Sequence, residues 1–224
     1  MTTLDDLILR IRQRADKVNS LFVTDSEITA MVNSSYAELY DLITQTAEDY
    51  FTTSLSFTLS SSDAGVYTLP GSFYKLRGVD FLLGGSYITL YPYDWIARND
   101  DVGPGNQVLS QEFAYKIMGT TLRFVPEDLA VGTFRLWYIP AYTPLSSGSD
   151  VISTQITKQN WEEYLVLDVA KKILDKEESN TSTLLQDKEI LRRRITEFAS
   201  GRDIDQPMRV SYSRARRSTR RWWW

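Results

Sequence analysis

The spacing of apolar residues changes period twice along this chain, from three and four to two and back again, which points to helices at both ends and strands between them. Leu4, Leu7, Ile8, Ile11, Ala15 and Val18 recur at three- and four-residue intervals, placing one apolar stripe on a helix over about 3–18. Asn19-Ser20 is placed to end it. Thr24-Asp25-Ser26-Glu27 then has the pattern of a capping box, in which the Thr24 hydroxyl and the Glu27 carboxylate each accept from a backbone N–H left over at a helix start. Ile28, Met31, Val32, Tyr36, Leu39, Tyr40 and Ile43 form the apolar face of a second helix reaching about residue 47. A short loop between the two predicts a helical hairpin.

From Tyr50 the period falls to two: Phe51, Thr53, Leu55, Phe57 and Leu59 alternate as a half-buried strand does. Further strands are expected over 66–69, 73–83, 86–91, 112–118, 121–125 and 133–139, separated by Asp63-Ala64-Gly65, Gly84-Gly85, Gly119 and Gly132. The short gaps fit an antiparallel meander. In Phe134–Ile139 both faces of the alternation carry large groups, so that strand is expected to be buried or contacted on both sides. Between Asp94 and Gly105 the pattern lapses, ending in the turn signal Gly103-Pro104-Gly105, and a protruding loop is expected over 94–106.

Helical spacing returns with Trp161, Tyr164, Leu165, Asp168, Val169, Ile173 and Leu174, predicting a third helix over about 159–177. A fourth is expected over about 181–200 from Leu184, Leu185, Lys188, Leu191, Ile195 and Phe198, with Gly201 as its stop. The predicted fold is therefore α+β. Two N-terminal and two C-terminal helices (1–49 and 158–201) form a four-helix bundle, an antiparallel β lobe (50–157) is inserted between the pairs, and an extended tail (202–224) follows.

The tail departs from the rest in charge. Gln206–Trp224 holds six arginines, no acidic residue and three terminal tryptophans, while residues 1–205 hold 19 Lys and Arg against 29 Asp and Glu, a formal charge of −10. Arginine offers a planar fork of donors, and tryptophan a large apolar area with one N–H; both are common interface anchors. With Pro207, several hydroxyl residues and no helical stripe, the tail cannot bury enough of itself to offset its ordering entropy and is expected to order only on a partner. A protein groove, nucleic acid or a membrane surface could each serve, and three tryptophans favour the groove.

Composition narrows the chemistry. The chain has no cysteine and no histidine, which removes thiolate nucleophiles, disulfides, thiolate metal sites and the usual neutral-pH general base together. No phosphate-binding loop or calcium-loop pattern is present. The carboxylate pairs Asp5-Asp6, Asp100-Asp101, Glu162-Glu163 and Glu177-Glu178 read as solvated surface, as do Asp168 with Lys171-Lys172 and the run Arg192–Arg194. No enzyme, cofactor or metal is expected. Neither a membrane-length apolar stretch nor a signal-peptide pattern is present, so a cytoplasmic protein is expected. The many aromatics of the β section read as core rather than as a base-stacking platform, because acidic rather than basic residues surround them.

Taken together, VTDSEITAMVNSSYAELYDLI (23–43), YTLPGSFYKLRGVD (67–80), LRFVPE (122–127), LWYIPAYTPL (136–145) and WEEYLVLDVAKKILDKEES (161–179) resemble the head-to-tail adaptor, or neck, proteins of tailed bacteriophages. The resemblance covers roughly residues 1–205. It implies a virion protein of the neck, assembled in the host cytoplasm as a dodecameric ring. Such a ring docks on the portal, extends the DNA channel and presents an attachment surface for tail or nozzle proteins, with double-stranded DNA passing through unbound. It also implies that the C-terminal segment binds the portal, which in this chain would fall to Arg209, Tyr212, Arg214, Arg216, Arg217, Arg220, Arg221, Trp222, Trp223 and Trp224. Asp94, Trp95, Arg98, Asn99, Asp100 and Asp101 would be the loop that meets a tail protein. The alternative reading is a nucleic-acid-binding module that uses the same Arg/Trp tail.

Overall fold

A computed structural model describes residues 2–19, 22–47, 49–94, 113–127 and 130–200. The first helix, α1 (Leu4–Arg14), opens with a true capping box: the Thr3 hydroxyl accepts from Asp6 N–H, and the Asp6 carboxylate accepts from Thr3 N–H, each at 3.2 Å. It stops earlier than its apolar stripe suggests. Asp16 takes a left-handed conformation (φ 53°) and turns the chain, leaving Val18 exposed. In α2 (Asp25–Thr46) Thr24 caps the Glu27 N–H, and the Glu27 carboxylate binds Lys176 across the structure.

Among the described residues eight strands follow: β1 (Thr53–Leu59), β2 (Val66–Thr68), β3 (Phe73–Leu83), β4 (Ser86–Thr89), β5 (Tyr91–Pro92), β6 (Ala114–Met118), β7 (Thr121–Val125) and β8 (Gly132–Pro140). The described residues end in α3 (Thr154–Thr157), α4 (Glu163–Lys176) and α5 (Ser182–Ser200). The mixed α+β class stands, but the four-helix bundle with an antiparallel meander does not. Among the described residues there are five α-helices and two four-stranded sheets.

Two physical causes account for the difference in the helices. Asn160 is left-handed (φ 57°), and the Trp161 N–H returns to the Ile156 carbonyl at 3.3 Å, so an unexpected single turn, α3, ends there and the expected third helix, α4, begins only at Glu163. Moreover α4 packs against α1, α2 and α5 at once. Its residues Tyr164–Ala170 are buried without interruption, so it is a central helix ringed by others rather than one of four around a shared seam.

The strands depart from a meander because β8 inserts between β1 and β3, giving the order β1-β8-β3-β4, with β2-β7-β6-β5 as the second sheet. β8 lies inside its sheet with Phe134, Leu136 and Tyr138 buried on one face, while Arg135 and Trp137 on the other are only half-buried. In the second sheet β5 runs parallel to β6, Tyr91 opposite Ala114 and Pro92 opposite Tyr115. Parallel neighbours require a long connection, and 21 residues separate Pro92 from Ala114 in the sequence.

The two sheets face each other across an aromatic layer. Phe57 stacks on Tyr67 with ring centroids 3.7 Å apart, and Phe124 meets Phe134 at 4.4 Å. A second cluster of buried residues lies among the helices and takes in Ile139 of β8, Ile156 of α3, and Tyr50, Phe51, Leu145 and Ile152 from the connecting segments. The Tyr74 hydroxyl donates to Asp41 at 2.8 Å, Tyr40 donates to the Pro140 carbonyl, and Arg77 pairs with Asp49, so α2 and its C-terminal loop are tied to β3 and the end of β8.

Candidate functional site

The residues that sequence reading assigns to partner binding fall mostly outside the described residues. This holds for Trp95, Arg98, Asn99, Asp100 and Asp101 of the loop. It holds equally for Arg209, Tyr212, Arg214, Arg216, Arg217, Arg220, Arg221, Trp222, Trp223 and Trp224 of the tail. Asp94 is described and exposed. It follows β5, where Tyr93 N–H donates to the Tyr115 carbonyl at 2.7 Å, so the loop leaves from the edge of the second sheet. The tail departs beyond the end of α5.

Inside the helical body the chain builds a polar centre. Asp168 on α4 is only 3 % exposed. Its carboxylate accepts from the Ser35 hydroxyl of α2 at 2.6 Å and lies 2.7 Å from both Lys172 of α4 and Lys188 of α5. Lys172 also donates to the Ser35 hydroxyl oxygen at 2.8 Å. Lys188 reaches Glu38 of α2 at 3.1 Å, and the Tyr164 hydroxyl donates to the same Glu38 oxygen at 2.6 Å. Burial alone would raise the Asp168 carboxyl; hydrogen bonds from Lys172, Lys188 and Ser35 outweigh it and hold the group below the usual carboxylate range. Burial pulls Lys188 down, and its bonds to Asp168, Tyr164 and Glu38 more than reverse that. Tyr164 is pushed up to about 12, first by burial and then by its bond to Glu38. At neutral pH the centre is therefore fixed as carboxylate, ammonium and neutral phenol. Groups held so far from neutrality are poorly matched to proton transfer and well matched to joining three helices.

Asp168 is not the solvated surface group expected of it, and neither is Glu162, which is 5 % exposed and 3.5 Å from Arg10. The signal was present in the sequence: Asp168 and Lys188 each occupy a position within an apolar stripe, where a charge must turn inward and needs an opposite partner.

Two further features could receive a partner. At the junction of helices and strands a cleft of about 420 Å³ is lined by Tyr36, Tyr40, Phe51, Pro140, Tyr142 and Gln155 among others, with no charged side chain among the described lining residues. Burial raises the phenols of Tyr36 and Tyr40, so both stay protonated at neutral pH. The cleft offers stacking area and hydroxyls but no acid or base. On the outward face of the first sheet, the Arg135 guanidinium lies 3.7 Å from the Tyr87 ring centroid and 5.8 Å from that of Trp137. The Trp137 indole N–H donates to Asp80 at 2.6 Å. Arg, Trp and Tyr in one cluster have the composition of an interface anchor.

Among the described residues no helix is long and apolar enough to cross a membrane, and no group of acidic residues is placed to hold a metal ion. The family model described as SU10 adaptor protein matches residues 2–217. No curated protein matches the chain.

Proposed function

This chain belongs to the SU10 adaptor protein family, and from that premise we propose that it forms a ring, dodecameric by resemblance, that docks on the portal of a tailed bacteriophage. The coarser statement follows from membership itself: the chain is a phage adaptor protein, a structural component of the virion. In the proposed role the ring sits at the neck, extends the DNA channel and gives tail or nozzle proteins their attachment surface. It performs no catalysis. The helical body, 1–49 and 158–201, and the β lobe, 50–157, are its two parts.

The observation that carries the proposal beyond membership is the segregation of charge, with −10 over residues 1–205 and six arginines in the tail. A channel through which duplex DNA must pass is better served by walls that repel phosphate than by walls that bind it. The arginines and the closing Trp222, Trp223 and Trp224 suit a protein surface, where tails from every subunit engage together and weak single contacts add up. Residues 94–101 are proposed to meet the next tail component.

Co-expression of the full chain, and of a 1–206 truncation, with the portal protein encoded beside it tests this reading. Rings capping the portal only with the full chain support both the adaptor role and the anchoring tail. Failure of both chains to bind removes it. Tight, salt-sensitive binding of free DNA by the full chain, with a log-log slope near about −5 for six phosphate contacts, would favour the nucleic-acid-binding module instead.

A further inference from the structure

The first sheet ends in two strands that have no backbone neighbour on their outer sides among the described residues: β1 at one margin and β4 at the other. Proteins that remain single blunt such edges with charge, proline or extreme shortness. The second sheet does so, since β2 has three residues and β5 has two, the last being Pro92. The first sheet does not. β1 is a seven-residue strand, TSLSFTL, with neither charge nor proline. It pairs with β8 from Thr53 to Leu59 without a shift in register, and Ser54–Ser56 and Thr58 are exposed. β4, SYIT, is likewise uncharged and exposed throughout.

The register shows what chemistry each edge presents. Directly opposed residues share a face, so Leu55 lies on the same face as Leu136 and Val79, and Ile88 on the same face as Phe81, Phe134 and Phe57. This is the face that carries the aromatic layer. Leu55 is 36 % exposed and Ile88 42 %, one at each margin of that layer. On the opposite face β1 presents Ser54, Ser56 and Thr58, and β4 presents Tyr87 and Thr89. Apolar therefore meets apolar, and hydroxyl meets hydroxyl, when the two edges are brought together.

We propose that β1 of one copy pairs with β4 of the next, so that the first sheet continues from subunit to subunit with Leu55 of one covering Ile88 of the other. This rests on the homo-oligomeric reading above and adds the contact to it. A second copy is favoured over a foreign strand because it fills both open edges at once, whereas a foreign strand fills one. The contact joins two different surfaces, which is the kind that closes into a ring when the rotation between copies permits. Because β4 has four residues, each contact is small, and its strength comes from repetition around the ring.

The absence of cysteine makes a direct test clean. Full-length Ser56→Cys/Thr89→Cys, together with each single variant, is assembled on the portal and treated with a bifunctional thiol reagent of about 8 Å reach, the span of diagonal cross-strand neighbours. The double variant is expected to give a covalent ladder on denaturing gels, and the single variants none. Ser56→Lys is expected to lower the ring fraction at least tenfold with its melting curve unchanged. Rings of unaltered mass without a ladder overturn the edge contact and leave the oligomer standing, whereas absence of both rings and ladder overturns the two together. Cross-linked dimers from Ser56→Cys alone mean that β1 pairs with itself. A cross-link from Ser56→Cys to the portal means that a foreign strand holds the edge. Either result overturns the proposal.

Discussion

Lys188 Nζ lies 2.7 Å from Asp168 Oδ1, joining α5 to α4 at a point where Asp168 is shut away from solvent. Twenty residues separate them in the chain, and the same carboxylate holds Ser35 of α2. A buried pair of this kind contributes little net stability relative to apolar residues of the same shape, but removing one member leaves the other uncompensated.

Asp168→Ala should therefore destabilise the protein by about 3–5 kcal/mol, because it strands Lys188 and Lys172 beside an apolar cluster. Lys188→Met should cost less, since Lys172 still neutralises Asp168. In urea unfolding the double variant should be less unstable than the sum of the two single losses. Strict additivity would show that the pair is not coupled.

The pH dependence follows from the signs of the shifts. Asp168 has a lowered folded-state pKa, so its contribution is complete above the unfolded value of about 3.9 and is lost as the pH falls through the folded value. Lys188 is raised, so its contribution is complete below about 10.4 and is lost as the pH rises through its folded value. Stability should be flat between about pH 5 and 9 and fall on both sides. Asp168→Asn should flatten part of the acid limb, the rest being shared with Glu27, Asp175 and Glu177, which bonds to lysines lower, and with Asp6, Asp63 and Asp150, which bonds to Thr3, Ser60 and Ser146–Ser147 lower. Chemical denaturation at a series of pH values measures both limbs.

Gly132 sits at φ 137°, and a Cβ there would lie 2.9 Å from Phe81 Cε2. That ring is held in turn by Phe134 at 4.9 Å and Phe113 at 5.5 Å. Gly132→Ala should cost about 1–3 kcal/mol from backbone strain and crowding, seen as an earlier urea midpoint with an unchanged slope.

Trp137→Phe removes the indole N–H that Asp80 accepts and should cost about 1.5–3 kcal/mol, the range for a hydrogen bond to a charged group. Arg135→Ala should cost only about 0.5–1 kcal/mol, as expected for one partly exposed cation over a ring. If this face is also bound in the virion, both variants should reduce assembly by more than their effect on melting, a comparison that co-purification with partners can make.

Replacing Trp222, Trp223 and Trp224 with alanine should abolish portal capture at low and high salt alike, whereas changing the six tail arginines to glutamine should leave capture that no longer varies with salt. Binding measured by co-sedimentation at two ionic strengths separates the apolar from the ionic share.

The amino-acid sequence by itself determined where α1 and α2 begin and which of their faces are apolar. Capping at Thr3 and Thr24, and the stripe of α2, involve residues three and four apart that are neighbours in any helix, whereas Leu185 and Phe198 of the stripe expected in α5 are exposed. It also determined that Phe134–Ile139 needs contacts on both faces. Tertiary structure decided which strands flank it: β1 and β3, whose pairings join residues as far apart as Leu59 and Gly132. It likewise decided that Asn160 separates α3 from α4, that β5 lies parallel to β6, and that Asp168 pairs inward with Lys188. Each of these depends on what a segment meets after the chain has folded back on itself. Local spacing fixes a segment's apolar face, but only packing against distant residues fixes its neighbour, because burial and charge pairing gain their energy between segments rather than within them.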